Sequence, residues 1–245
     1  MKILFMRPAA KGVYPDQAAQ RRINLIRSYA TPATQIDVDY LPDVSGFNPW
    51  GGQTDPNHRP AEAVARTHGF GAQRALQAEK EGYDAFCPYG AVDVGVQEAR
   101  SRGLKIPAAG PGEASALFCG LLGRKFASCS YVETPDSGRR DRYVALGVDH
   151  LYAGTTAIGI QNSEYPQRHG EVLDRYKDCA RKAKEMGAEM MGVIGQSICP
   201  TEFSAKELQE ATGFPTMDGI AAQIAMVEWW HRTGLPPTLL KVPRT

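Results

Sequence analysis

Short apolar runs of strand length alternate along the chain with stretches of helical period, the pattern of an α/β sheet. The runs fall at 2–6 (KILFM), 35–41, 84–88, 125–131, 151–160 and 189–195. Between them, 16–30 places Ala19, Ile23, Ile26 and Ala30 on one helical face. The segment 61–80 repeats this with Ala65, Ala72 and Leu76, although Gly69 and Gly71 weaken it. Segments 166–186 and 217–233 also read as helices. Residues 42–60, "PDVSGFNPWGGQTDPNHRP", are rich in Pro, Gly, Asn and Asp and read as a long loop. A loop this long is more often a lid or binding loop than a linker.

The pattern occurs twice. "GYDAFCPYG" at 82–90 has a counterpart in "GAEMMGVIG" at 187–195. After each comes a helix, then a proline-led segment feeding a glycine turn and an Ala-rich helix: "PAAGPGEASALF" at 107–118 and "PTMDGIAAQIAM" at 215–226. Gly82 to Pro107 is 25 residues and Gly187 to Pro215 is 28. The chain therefore reads as two α/β lobes, 1–120 and 121–245, with the C-terminal helix free to pack back on the first. A cleft between the two sets of strand tips is expected, since strand tips are where open α/β sheets keep their chemistry.

Charge and cysteine content narrow the classes. With 28 Lys+Arg against 27 Asp+Glu and no basic stripe, nucleic acid is not an expected partner. Arg7 and Pro8 cut the first apolar run too short for a signal peptide, and nothing approaches a membrane span. Five cysteines (Cys87, Cys119, Cys129, Cys179, Cys199) without a CxxC pair argue against a disulfide framework or zinc ribbon. The expected location is the cytoplasm. His58 and His68 flank the long loop, while His150, His169 and His231 are scattered with no metal-ligand spacing. Each histidine reads as surface or structural. There is no dinucleotide or P-loop fingerprint, so neither cofactor nor metal is expected.

Four stretches, "MKILFMRP", "GYDAF…D…GVQEAR", "IPAAGPGEASA" and "FPTMDGIAAQIAMVE", resemble the aspartate/glutamate/hydantoin racemase superfamily, nearest its hydantoin racemase branch. The resemblance implies two flavodoxin-like, doubly wound lobes related by pseudo-twofold symmetry, with the active site between them. It also implies a homo-oligomer, a small carboxylate or cyclic amide as substrate, and cofactor-free chemistry with one cysteine per lobe. Removing a proton next to a carbonyl creates an enolate, which backbone N–H groups at strand-to-helix turns stabilise. A thiolate of depressed pKa serves as base, and two thiols on opposite faces allow racemisation.

The chain departs from that pattern at the first thiol. Counting back from Asp93 and Gly95, the first-lobe cysteine position holds Gly90; Cys87 lies inside the run and reads as a small buried hydrophobe. The second position falls on Gly195 or Gln196 counting from Gly187, and on Cys199 counting from Pro215. "CPTEF" at 199–203 resembles the Cys-Thr-Glu of amino-acid racemases with a proline inserted, and Cys199 is expected to be a reactive thiol opening a helix. Glycine in one lobe with cysteine in the other resembles arylmalonate decarboxylase, where one thiol protonates an enediolate. That enzyme has hydroxyl residues after the glycine; here Ala91 and Val92 follow.

The other expected binding positions are Arg7, as a carboxylate clamp, Ser130 and Tyr131 as anion contacts, Tyr89, Gly90 and Ala91 at the first tip, and Gln196 and Ser197 at the second. Asp93, Glu113 and Asp218 read as helix caps or structural acids. The expected function is one-base proton transfer at a carbon beside a carboxylate or carbonyl. Alternatives are a decarboxylase, another lyase or hydrolase using Cys199 as nucleophile, or a non-catalytic binding protein.

Overall fold

A computed structural model describes residues 1–7, 16–40, 61–133 and 137–237, with 16–19, 61–64 and 137 described by their backbone alone. The loop 42–60 and His58 lie outside the described residues. The described chain forms two units. The first takes the residues up to Pro111 and those from Gln223 onward; the second takes Gly112–Ala222.

In the first unit β1 (Lys2–Arg7) runs between β2 (Gln35–Tyr40) and β3 (Ala85–Pro88), all parallel. The β1 and β3 runs are almost wholly apolar because a parallel sheet is covered on both faces. The edge strand β2 instead carries Asp37 and Asp39, which pair with Lys2 at 3.2 Å and Arg74 at 2.6 Å. Charges on an edge discourage pairing with another chain. Helices α1 (Asp16–Ser28), α2 (Ala61–Lys80) and α3 (Val96–Ser101) belong to this unit, and α2 is continuous through Gly69 and Gly71. Leu4, Met6, Phe86, Ala72 and Ala75 are buried in a common core.

The second unit has the same strand order: β4 (Phe126–Ser130) lies between β5 (Tyr152–Ala157) and β6 (Met190–Ile194), again parallel. Its helices are α4 (Pro111–Leu121), α5 (Ser137–Leu146), α6 (His169–Glu185) and α7 (Ala205–Thr212). The last helix, α8 (Gly219–Thr233), begins in this unit and returns the chain to the first at Gln223. The apolar run 151–160 is shorter as a strand than its sequence implies, because 149–151 form a 3₁₀ turn and Gly159 turns away with φ 73°. No helix among the described residues is long and apolar enough to cross a membrane.

The internal repeat is a repeat of hydrogen bonds. Phe86 N donates to Pro107 O at 2.9 Å and Phe86 O accepts from Ala109 N at 3.3 Å. In the second unit Met191 N donates to Pro215 O at 2.8 Å and Met191 O accepts from Met217 N at 2.9 Å. Gly82 and Gly187 both stand four residues before these positions, each in a left-handed conformation. One residue breaks the match. The β4–β6 register skips from Met191 to Val193, so Gly192 is an extra bulge residue. A Cβ there would lie 2.7 Å from Cys119 Sγ and 2.8 Å from Phe126 Cβ, which restricts the bulge to glycine.

Candidate active site

At the first tip β1 ends on Arg7 and β3 on Pro88. Tyr89 N donates to Met6 O at 2.8 Å, carrying the chain one residue past the sheet, and its ring meets Phe5 edge-on. Gly90 follows with φ 114°, a backbone conformation that a cysteine would adopt only under strain, and its carbonyl accepts from Asp93 N at 2.9 Å. Ala91 is half-buried. Arg7 is 3% exposed, with its guanidinium carbon 5.4 Å from the centre of the Tyr40 ring, so it is a buried charge stacked on an aromatic face.

Behind this tip the fully buried Gln223 donates from Nε2 to Pro88 O at 2.8 Å and Ala109 O at 2.7 Å, joining the strand end to the segment that opens α4. Asp93, expected as a helix cap, instead sits in the tip turn with φ 56°, because Gly95 is the residue that precedes α3. Asp218 does cap a helix, its Oδ1 accepting from Ile220 N and Ala221 N at 2.9 and 3.1 Å.

The second tip resolves the counting ambiguity. Gly195 N donates to Cys129 O at 2.9 Å, the counterpart of Tyr89 on Met6, so Gln196 holds the place of Gly90 and Ser197 that of Ala91. The extra residue Gly192 is what shifts the count from Gly195 to Gln196. Gln196 is 3% exposed and its Nε2 donates to Ile194 O at 2.9 Å; Ser197 Oγ accepts from Asn162 Nδ2 at 3.3 Å. Ser130 ends β4 as Arg7 ends β1, and its carbonyl accepts from Ile158 N at 2.9 Å. Tyr131 is half-buried and packs against the core. Ser128 lies deeper, with its hydroxyl 2.6 Å from that of Thr155 and 3.3 Å from that of Tyr152.

Cys199 is three residues beyond this tip. Pro200 disfavours the helical region for the residue before it, and Cys199 is extended at φ −127°, ψ 125° inside an otherwise helical turn. Its side chain is 0% exposed, in the core with Ile198, Phe203 and Tyr176, with Sγ 4.0 Å from Met217 O. Burial, reinforced by Asp218 and Glu207, pushes the Cys199 thiol well up, so the depressed pKa expected of a helix-start thiol is not found. All five cysteines are free and buried. Burial raises Cys87 and Cys119, the latter to about 12, while Cys179 alone is lowered, chiefly by its hydrogen bond with Cys129.

The same turn carries a pair that the sequence reading did not single out. Glu202, 14% exposed, places Oε1 2.5 Å from Nδ1 of His169, the first residue of α6, and the His169 ring lies 4.4 Å from that of Phe203. The partners are 33 residues apart in sequence, with no local spacing to link them. No group of three or more His, Cys, Asp or Glu among the described residues is arranged to hold a metal ion.

Two parallel α/β units, each ending in a glycine-bearing strand-to-helix turn, define a protein of the flavodoxin-like, doubly wound class. The chain belongs to the Asp/Glu/hydantoin racemase family, whose profile matches residues 51–227. Among solved structures it is similar to an allantoin racemase from Pseudomonas fluorescens (19% identity, all of this chain and 98% of that one, TM-score 0.76). It is similar also to an allantoin racemase from Klebsiella pneumoniae (20% identity, 100% and 94% covered, TM-score 0.72). A more distant likeness is to unliganded arylmalonate decarboxylase (15% identity, 94% and 92% covered, TM-score 0.57). No curated protein sequence matches the chain.

Proposed function

We propose that this protein is a cofactor-independent enzyme of the isomerase type that moves a proton at a carbon beside a carboxylate or carbonyl of a small molecule. Family membership and the likeness to allantoin racemases support the reaction type. The observation that carries the finer reading is the equivalence of Gly90 and Gln196: neither strand tip presents a thiol, which supports a one-base route over the two-cysteine route to racemisation. In the first unit the Gly90 tip with Arg7 at the adjoining strand end, and in the second unit the Gln196 tip with Ser197, Ser130 and Tyr131, each offer backbone N–H groups and polar contacts suited to an anionic oxygen. In this reading Cys199 is the single thiol of the mechanism. Burial in the core, which raises its pKa, makes it a poor nucleophile and disfavours covalent hydrolysis, so any proton it delivers requires the core around it to open.

The likeness to arylmalonate decarboxylase supports a second reading, decarboxylation of a small carboxylic acid. There the departing carbon dioxide leaves the electron pair, and only a proton donor is required. The reading carries with it a small carboxylate or cyclic amide substrate and a homo-oligomer in the cytoplasm. It is tested by incubating the protein in D2O with 5-substituted hydantoins, allantoin, 2-aryl carboxylic acids and 2-arylmalonates. Deuterium at the substrate carbon without loss of carbon dioxide supports the first reading, deuterium with loss supports the second, and a mass-shifted Cys199 adduct contradicts both. Cys199→Ala that turns over as fast as the parent removes the thiol from either.

A further inference from the structure

The proposed reaction needs a base, and no thiol in the described residues is placed to be one: the cysteines are buried, and the tip positions hold Gly90 and Gln196. We propose that His169, oriented by Glu202, is the general base, taking the proton on Nε2. This rests on the proton-transfer reading above.

The argument starts from where the pair stands. His169 opens α6 after the connection that leaves the C-terminal end of β5, and Glu202 closes the turn that begins at Gln196 after β6. These two connections are tied twice, by Asn162 Nδ2 on Ser197 Oγ beside the tip and by His169 Nδ1 on Glu202 Oε1. The imidazole thus sits on the same rim of the second unit as Gln196 and Ser197.

The pair also has the chemistry of a base and its orienter. Glu202 is mostly buried and a carboxylate accepts, so Nδ1 is the donor matched to it, and in the neutral ring this arrangement leaves the lone pair on Nε2. Phe203 packs against the ring and restricts its rotation. Among the described residues Nε2 makes no hydrogen bond, and the side chain is 58% exposed, so that nitrogen is open to a substrate. An imidazole held by a carboxylate on one nitrogen and open on the other is the arrangement that general-base catalysis uses. Neighbouring charges are already engaged: Arg168 donates to Glu164 at 2.7 Å and to Glu171 at 2.7 and 2.9 Å, and Glu207 is bonded to Ser204. Glu202 is therefore the carboxylate matched to His169.

The step balances as follows. Nε2 takes the proton from the substrate carbon, the C–H electron pair passes into the enolate, and the imidazolium is neutralised by Glu202. The imidazolium exchanges its proton with solvent and returns one to the enolate carbon, which completes the exchange, and no oxidant or reductant is consumed. His169 is the catalytic residue; Glu202 is a positioning residue.

The experiment compares deuterium exchange on the substrate panel for the parent protein and for His169→Ala, His169→Gln, Glu202→Gln and Cys199→Ala, each checked for an unchanged thermal midpoint. Expected is a loss of about a hundredfold or more in kcat for His169→Ala with KM little changed, partly restored by added imidazole. Glu202→Gln is expected to fall less and not to respond to imidazole. Exchange by His169→Ala within about threefold of the parent overturns the inference while leaving the proton-transfer reading in place. If every His169 variant is unstable, carbethoxylation of the His169 ring by diethyl pyrocarbonate in the parent, located by peptide mass spectrometry, decides instead, with unchanged exchange after modification as the contrary result. A parent protein that exchanges no member of the panel overturns the reading and the base together.

Discussion

Gln223 is where the second passage of the chain through the first unit fixes the strand tip at Pro88, and its removal has a calculable cost. Its side chain is fully buried, with Nε2 donating to Pro88 O and Ala109 O at 2.8 and 2.7 Å. In Gln223→Leu both carbonyls lose a donor inside the protein. Each such loss costs about 1–3 kcal/mol once the desolvation of the orphaned group is included. The Oε1 of Gln223 has no hydrogen bond among the described residues, so deleting it returns about 1 kcal/mol. The balance is a destabilisation of about 1–5 kcal/mol. Trp229 and Trp230 lie on α8 in this same unit, so urea unfolding followed by tryptophan fluorescence reports on it. The control is Gln77→Leu, where an exposed amide on α2 donates to Glu81 at 3.2 Å and less than about 0.5 kcal/mol is expected. A Gln223→Leu midpoint that coincides with the control would show that the two bonds do not hold the tip, and the reasoning would fail.

Other outcomes follow from the same geometry. Gly192→Ala forces a methyl group to within 2.7 Å of Cys119 Sγ and should destabilise by about 1–3 kcal/mol in thermal unfolding; a neutral result contradicts the close-packed bulge. Cys199 should be alkylated by iodoacetamide more slowly than a free cysteine peptide across pH 7–9, because burial raises its pKa; equal rates measured by peptide mass spectrometry contradict a buried neutral thiol. Glu207 is held below the ordinary carboxylate range chiefly by the Ser204 backbone N–H and then its hydroxyl, so the cap adds stability above the unfolded-state pKa of about 4.3 and loses it as pH falls through the lower folded value. The stability gap between the parent and Glu207→Gln should therefore be present at pH 7 and close below about pH 4, read by urea midpoints; a gap that grows in acid has the wrong sign.

The parts of the fold carried by local pattern were readable from the chain. Strand runs such as KILFM and the proline-led segments at Pro107 and Pro215 lie where their apolar content and turn residues place them. The matched glycines Gly82 and Gly187 revealed the repeat because both serve the same left-handed turn ahead of a strand. The site was harder to read because single-residue shifts and long-range pairs leave no periodic mark. Gly192 adds one residue to β6, and that bulge alone moved the second tip between Gly195 and Gln196. Cys199 looked like a helix-start thiol by position, but Pro200 extends its backbone and the side chain turns into the core. Arg7 ends its strand as the sequence indicates, but its burial against Tyr40 left no mark in the pattern. The His169–Glu202 pair is made by two connections that meet only when β5 and β6 flank β4 in one sheet.

The central claim is proton transfer at a substrate carbon by a family member whose two strand tips hold Gly90 and Gln196 in place of thiols. Its most direct test is proton NMR of the substrate panel in D2O with the parent protein. The expected result is loss of the signal from the hydrogen beside the carbonyl of at least one hydantoin or 2-aryl acid, with deuterium retained in the product and the rate reduced in His169→Ala. Full retention of that signal in every compound, at protein concentrations stoichiometric with substrate, would contradict it.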